Sequence, residues 1–321
     1  MDFKKLRTYS AKQRKTKVSL SSLAKIGKKG EKFSDFLDTL PDFLAVRSLK
    51  EVIAAITKAK KSNKKIIWGF GAHFIKVGLS PILIDLMKKG FVSCVATNGA
   101  GAIHDFELAT FGRTSEDVSE NLKTGMFGMV KETQHDMNEA IAEISDPTIE
   151  PRGLGALLGK KIRDNKAPNR EHSILYNAYE MDIPATVHVA IGTDTIHMSS
   201  KVDPRALGEA TFNDFQTLCF EISGLESGVY LNIGSAVLLP EVFLKALTVA
   251  RNLGNKIKNF TAINMDMIQH YRPAQNVLSR PGGKSYALTG HHEIMIPLLY
   301  QSILEEVYPS KSAKGGRRRT S

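Results

Sequence analysis

The sequence predicts an α/β fold: a doubly wound, mainly parallel, Rossmann-like sheet with helices on both faces. Three observations carry this expectation. Short runs of apolar and β-branched residues alternate with longer amphipathic stretches along most of the chain. At least four of those runs end in glycine or small polar residues and are followed by a helical pattern. The third observation is the stretch Phe91–Asp105, FVSCVATNGAGAIHD. Its run Val92–Ala96 suits a strand buried on both faces. Thr97-Asn98-Gly99-Ala100-Gly101 then turns into a helix over Ala102–Ala109. Strand, glycine turn and helix make half of a nucleotide-binding βαβ unit, whose free N–H groups at the helix start suit a phosphate. The full G-x-G-x-x-G fingerprint is absent, because His104 stands at the third glycine position.

In chain order, Leu49, Val52, Ile53 and Ile56 place a helix within 34–60. Lys64–Trp68 reads as a strand running into a second glycine turn, Gly69-Phe70-Gly71-Ala72-His73. Pro81 opens a helix and Gly90 closes it. Residues 113–145 read as polar helix, broken at Gly125-Met126-Phe127-Gly128. The turn-rich stretch 147–153 reads as an insertion or lid. A helix over 173–180 leads to the strand Ala185–Ile191 and the turn Gly192-Thr193-Asp194-Thr195. A helix at 212–223, a strand at 228–233 ending in Gly234-Ser235, and a helix at 240–253 follow. Asn259–Asn264 is the next strand, Lys284 stands in a loop, and a helix at 290–307 closes the ordered chain.

Bulk properties narrow the function classes. The 321 residues suit one large α/β domain. No run is long and apolar enough for a membrane span, and no secretory signal follows the basic N-terminus. Cys94 and Cys219 read as buried small hydrophobes in a reducing, cytoplasmic setting. The net charge of +11 resides in the ends. Residues 1–32 hold eleven Lys/Arg against Asp2 and Glu31, and 309–321 hold five against no acid. The expected organisation is therefore a basic flexible tail at 1–32, a single slightly acidic α/β domain at 33–308, and a basic flexible tail at 309–321. The tails read as solvated, with nucleic acid as the lesser alternative, since aromatic residues do not interleave the charges.

Ligands of such folds sit beyond the carboxyl ends of the strands. That rule selects Gly71, Ala72, Asn98, Gly99, Asp194, Gly234, Ser235 and Asn264. His291-His292-Glu293 is the densest histidine cluster, but its spacing is not H-E-x-x-H and no metal is expected. No G-x-S-x-G or P-loop pattern occurs. By residue type alone, Lys284 in Gly282-Gly283-Lys284 reads as a surface side chain.

From Trp68 to Leu304 the order of these pieces resembles the deoxyhypusine synthase family. VATNGAGAIHD is similar to the family's segment for NAD and spermidine. Trp68–His73 stands where the first nucleotide loop lies, and Thr193-Asp194, Tyr230–Ser235, Ile263-Asn264 and Pro297-Leu298-Leu299 keep the family's order. The resemblance implies NAD as cofactor, held by Gly71, Ala72, Thr97, Asn98, Gly99, Asp194, Gly234, Ser235 and Asn264. It implies a polyamine substrate seated by His104, Asp105 and Glu293, and a homotetramer with sites between subunits. It also implies an aminobutyl transfer: a hydride leaves the carbon next to the secondary amine of spermidine, and the imine passes to an enzyme lysine and on to a protein or small-amine acceptor. The family's lysine lies in Trp-Gly-Lys after Arg-Pro. Here Arg272-Pro273 is followed by Gly283-Lys284 without the tryptophan, and counting back from Pro-Leu-Leu meets a residue other than lysine. Lys284 is thus the candidate catalytic residue. A non-catalytic NAD- or polyamine-binding homologue that has lost the lysine is the alternative.

Overall fold

The computed structural model describes residues 1–148, 150 and 153–308. The helices are α1 (Phe33–Thr39), α2 (Leu44–Lys61), α3 (Ala72–Lys76), α4 (Ser80–Lys88), α5 (Gly99–Phe111), α6 (Val118–Lys123), α7 (Lys131–Ala142), α8 (Leu154–Asp164), α9 (Ile174–Glu180), α10 (Pro204–Ser223), α11 (Leu238–Asn252), α12 (Tyr271–Pro273) and α13 (His292–Val307). The strands are β1 (Ile66–Phe70), β2 (Cys94–Asn98), β3 (Ala185–His188), β4 (Val229–Ile233), β5 (Thr261–Asp266) and β6 (Lys284–Thr289). They form one sheet in the order β3-β2-β1-β4-β5-β6, parallel throughout. The order reverses between β1 and β4, which makes that junction the topological switch point.

Both faces of β1 to β5 are buried, and the pleat sorts the side chains between them. Ile66, Trp68, Phe70, Leu231 and Ile263 pack under α2, α4 and α13. Ile67, Ala96, Tyr230 and Ala262 point the other way, toward α10 and α11. There Tyr230 stacks on Phe243 with ring centroids 3.8 Å apart. A third cluster joins α5, α7, α8 and α10 around Val187 of β3. The sheet is therefore the doubly wound, parallel one that the alternation of runs implies.

Three readings of the chain change in the structure. Lys284 starts an edge strand, β6, where a loop was expected. The helix α8 has no counterpart in the sequence reading, and α10 begins eight residues earlier than expected. Of the turn-rich stretch 147–153, Ile149, Pro151 and Arg152 lie outside the described residues, as does the C-terminal tail from residue 309. At the N-terminus, residues 22 and 25 pair with the α1–α2 connection through Asp42 N–H to Ser22 O at 3.0 Å and Lys25 N–H to Thr39 O at 2.9 Å. Residues 1–20 are exposed.

Candidate functional site

The carboxyl ends of β2 and β3 meet at the start of α5. Asn98 caps that helix by accepting the Gly101 N–H at 2.8 Å. Thr97 Oγ1 donates to the Phe70 carbonyl at 2.9 Å and ties β2 to β1. The Asp194 carboxylate, from the turn after β3, accepts the Ala100 N–H. It lies so close that a Cβ on Gly99 would stand 2.0 Å from its Oδ2. A carboxylate of the chain itself thus occupies the anion position of this helix start. Gly99 is needed here for Asp194. Burial lifts the Asp194 pKa to about 6, against the smaller, opposing effects of neighbouring Thr193 and the Ala100 N–H. His197 Nδ1 accepts from Gly192 N–H at 3.0 Å and from Asp194 N–H at 3.2 Å, so its proton sits on Nε2. That nitrogen lies 3.9 Å from Asp194 Oδ2, and both atoms are buried without a hydrogen-bond partner.

Beside Asp194 opens a cavity of about 750 Å³ between α5 and the segment 113–132. His104 lies on its wall with Lys76, Arg113 and Glu132, against apolar Ile103, Phe111 and Phe127. Burial, with a smaller contribution from the Lys76 charge, lowers the His104 pKa to about 4, so the ring is neutral at pH 7. Among the described residues, Lys76 is the one lysine on this wall.

The second group lies at the switch point. Gly71 and Gly234 approach so closely that a Cβ on Gly71 would stand 2.3 Å from the Gly234 carbonyl oxygen. Gly234 itself has φ +63 and lies against the His292 ring. Ala72 opens α3 beside them, and Ser235 Oγ accepts the Leu239 N–H at 3.2 Å. Asn232 donates to Ser235 O at 2.9 Å and to Asn264 Oδ1 at 2.7 Å, which leaves its own Oδ1 buried and without a donor. His292 Nε2 donates to the Met265 carbonyl at 3.2 Å, and its Nδ1 is likewise buried without a partner. The His73 ring is 5.5 Å from that of His292.

Four residues selected from the sequence are placed elsewhere. Asp105 is 1 % exposed. It accepts from Ser173 Oγ at 2.5 Å, Ile174 N–H at 2.7 Å and Leu175 N–H at 3.0 Å, which makes it the cap of α9. Burial still raises its pKa to about 6. Asn264 is wholly buried in β5 and spends its amide on Asn232 and Gln269. Glu293 is exposed in the first turn of α13. Lys284 opens β6 in register with Thr261, the first residue of β5, and so lies at the amino end of the sheet. At ~3.3 Å per residue it is about 16 Å from the carboxyl end of its own strand. It is exposed and pairs with Glu51 of α2 at 2.8 Å, and that hydrogen bond holds its pKa above the usual lysine value. One protomer therefore does not bring Lys284 to the other site residues. Sequence reasoning passed over Glu107, Thr114, Asn232 and His197. Of these, only Glu107 carried a signal, three residues after His104 and hence on the same helix face.

The cofactor expectation can be tested on the unpartnered atoms. Among the described residues, Asp194 Oδ2, Asn232 Oδ1 and His292 Nδ1 are buried acceptors without donors along the carboxyl edge. Ribose hydroxyls, a carboxamide and an ammonium would each supply such donors, so the edge fits a dinucleotide with an amine. The Asn98–Gly101 turn fits a phosphate only where Asp194 gives way.

Among solved structures, the chain is similar to ArgZ, an arginine dihydrolase of the ornithine-ammonia cycle in cyanobacteria, with 15% identity and a TM-score of 0.50 over 82% of this chain and 32% of that one. It is similar to AgrE, solved as a ternary complex with ornithine and NAD+, with 14% identity and a TM-score of 0.54 over 82% of this chain and 34% of that one. The chain thus spans about a third of those two proteins, and the likeness concerns the fold. A protein proposed to be a deoxyhypusine synthase, from Entamoeba histolytica, matches at 13% identity over 85% of this chain and 93% of that one, with a TM-score of 0.49. Comparison with curated proteins finds no match. The sequence model of the family described as Deoxyhypusine synthase matches residues 39–267. That match takes in β1 to β5 and stops before Arg272 and Lys284. With most of its length matched, the chain belongs to the deoxyhypusine synthase family.

Proposed function

We propose that the chain is an NAD-dependent aminoalkyl transferase acting on spermidine or a related polyamine. The observation that carries this reading is the set of buried acceptors without donors at the carboxyl edge, next to a cavity with a neutral imidazole on its wall. An amine supplies N–H donors to such a site, and Asp194 offers a carboxylate to its positive charge. NAD, when bound, takes a hydride from a carbon next to nitrogen. The residues at the switch point, Gly71, Ala72, Gly234 and Ser235, with Asn232, would hold it, together with Thr97, Asn98 and Gly99 on the β2 side. Asp194 and His104 face the amine. Asp105, Asn264 and Glu293 act in this reading through the scaffold, since none reaches the cavity wall.

Lys284 has no part in one protomer's site. It is ion-paired at the other end of the sheet, and a protonated amine is no nucleophile. An imine carried on the enzyme has Lys76 as the lysine on the cavity wall. The assembly is read as a homotetramer, in keeping with the family, and Phe212 and Phe220 of α10, 56% and 72% exposed, offer apolar surface for it. No helix among the described residues is long and apolar enough to cross a membrane.

The test is incubation of the full chain with NAD and spermidine. NADH should form, and borohydride added during turnover should leave Lys284 unmodified, with Lys284→Ala as active as the parent chain. A trapped adduct on Lys284 would return the chemistry to that residue. No NADH with any polyamine would establish the second reading, a binding protein that has lost the transfer.

A further inference from the structure

His104 has a network behind it that neither the family resemblance nor the cavity explains. Its Nδ1 lies 2.7 Å from Thr114 Oγ1. Thr114 Oγ1 in turn donates its single hydrogen to Glu107 Oε2 at 2.5 Å. Thr133, 2 % exposed on α7, donates to the other oxygen, Oε1, at 3.1 Å. Glu107 as a carboxylate can only accept, and Thr114 has only one hydrogen to give. With that hydrogen committed to Glu107, Thr114 is left as an acceptor toward His104. The proton of the neutral imidazole must then sit on Nδ1, and Nε2 carries the lone pair. Nε2 has no hydrogen-bond partner among the described residues.

We propose that Glu107, acting through Thr114, is a positioning residue that fixes His104 as the Nδ1–H tautomer and so presents Nε2 as an acceptor to an N–H group of the ligand in the cavity. The ligand class, an amine, rests on the function proposed above; the relay itself does not. The arrangement draws on three separate elements. Glu107 and His104 share one face of α5, Thr114 lies just past the Gly112 cap of that helix, and Thr133 comes from the first turn of α7. Burial disfavours the imidazolium, which keeps the ring neutral and Nε2 unprotonated near pH 7. A hydroxyl between imidazole and carboxylate also keeps the negative charge one hydrogen bond away, so the ring is oriented without being strongly charged. Removing the relay should let the ring adopt the other tautomer, which turns an acceptor toward the ligand into a second donor. A donor facing an ammonium is repulsive, so affinity should fall.

The test is nitrogen NMR on the full chain labelled with 15N-histidine, with His104→Gln used to assign the ring. In the parent protein the proton should be found on Nδ1. Thr114→Val should make the Nε2–H form the majority, Thr114→Ser should restore the parent spectrum, and Glu107→Gln should lower the Nδ1–H population. With NAD present, spermidine should shift His104 Nε2 in the parent chain, and its dissociation constant should rise about tenfold in Thr114→Val and stay unchanged in Thr114→Ser, the loss of one hydrogen bond. Thr114 is part-buried in the connection after α5, and thermal melting of each variant should match the parent and exclude unfolding as the cause. A parent ring protonated on Nε2, or a tautomer that ignores Thr114→Val, would overturn the relay. The expected tautomer with no response to spermidine would leave the relay standing and overturn the amine reading of the cavity.

Discussion

At the scale of single residues, Asp194 shows how one carboxylate couples stability to pH. Its folded pKa, about 6, lies above the ~3.9 of an unfolded aspartate. Between those values the native state holds a proton that the unfolded chain has lost. Stability from this group is therefore full below about pH 4 and is lost as pH rises through 6. Asp194→Asn keeps an acceptor for the Ala100 N–H and has no charge to bury. It should make the protein more stable than the parent at pH 8, by up to about 3 kcal/mol, and should leave the two alike at pH 4. Urea denaturation of both chains at the two pH values checks this, and a pH-independent difference would show that the carboxylate is not titrating. Asp105 makes the opposite point. The sequence marks it as a ligand contact beside His104, yet along α5 the two side chains point about 100° apart. The turn that aims His104 at the cavity aims Asp105 at the start of α9.

The elements explain what the sequence discloses and what it conceals. Strands β1 to β5 are visible because each is a short run buried along almost its whole length, bounded by glycine or polar turn residues. β6 was not, since Lys284, Ser285, Ala287 and Thr289 leave it mostly exposed at the sheet edge. α8 was hidden by its glycines. Gly155 and Gly159 lower its helix propensity, and packing demands them: a Cβ would stand 2.1 Å from the Ala185 carbonyl oxygen at the first and 2.5 Å from that of Leu175 at the second. Of the site, the glycine turns and His104 were legible as local patterns. Thr114 was not, since its value depends on a side chain seven residues away folding back to meet it. The β2–α5 turn yields a test at this scale. Gly99→Ala should cost roughly 1–3 kcal/mol because its Cβ meets the Asp194 carboxylate. In an Asp194→Ala background the same change should cost clearly less, and a double-mutant cycle measures the coupling. Additive costs would mean that Asp194 is not what confines Gly99.

At the scale of the whole molecule, charge and fold separate cleanly. The first eighteen residues make only local hydrogen bonds and bury no side chain, while contacts with the body begin at Ser22. Deleting residues 1–18 should shift the melting temperature by less than about 2 °C and lower the pI toward neutrality; a larger drop in calorimetry would show that the segment docks. The position of Lys284 has a different consequence. β6 pairs with β5 on one side and with no strand among the described residues on the other. An open edge of this kind is a template for strand addition, and a charge on it is a deterrent. Lys284 is thus a charged residue on an open strand edge, of the kind that deters edge-to-edge pairing. Lys284→Val should scatter more light during refolding at micromolar concentration while leaving the folded chain's stability within about 1 kcal/mol, because the ion pair with Glu51 is exposed.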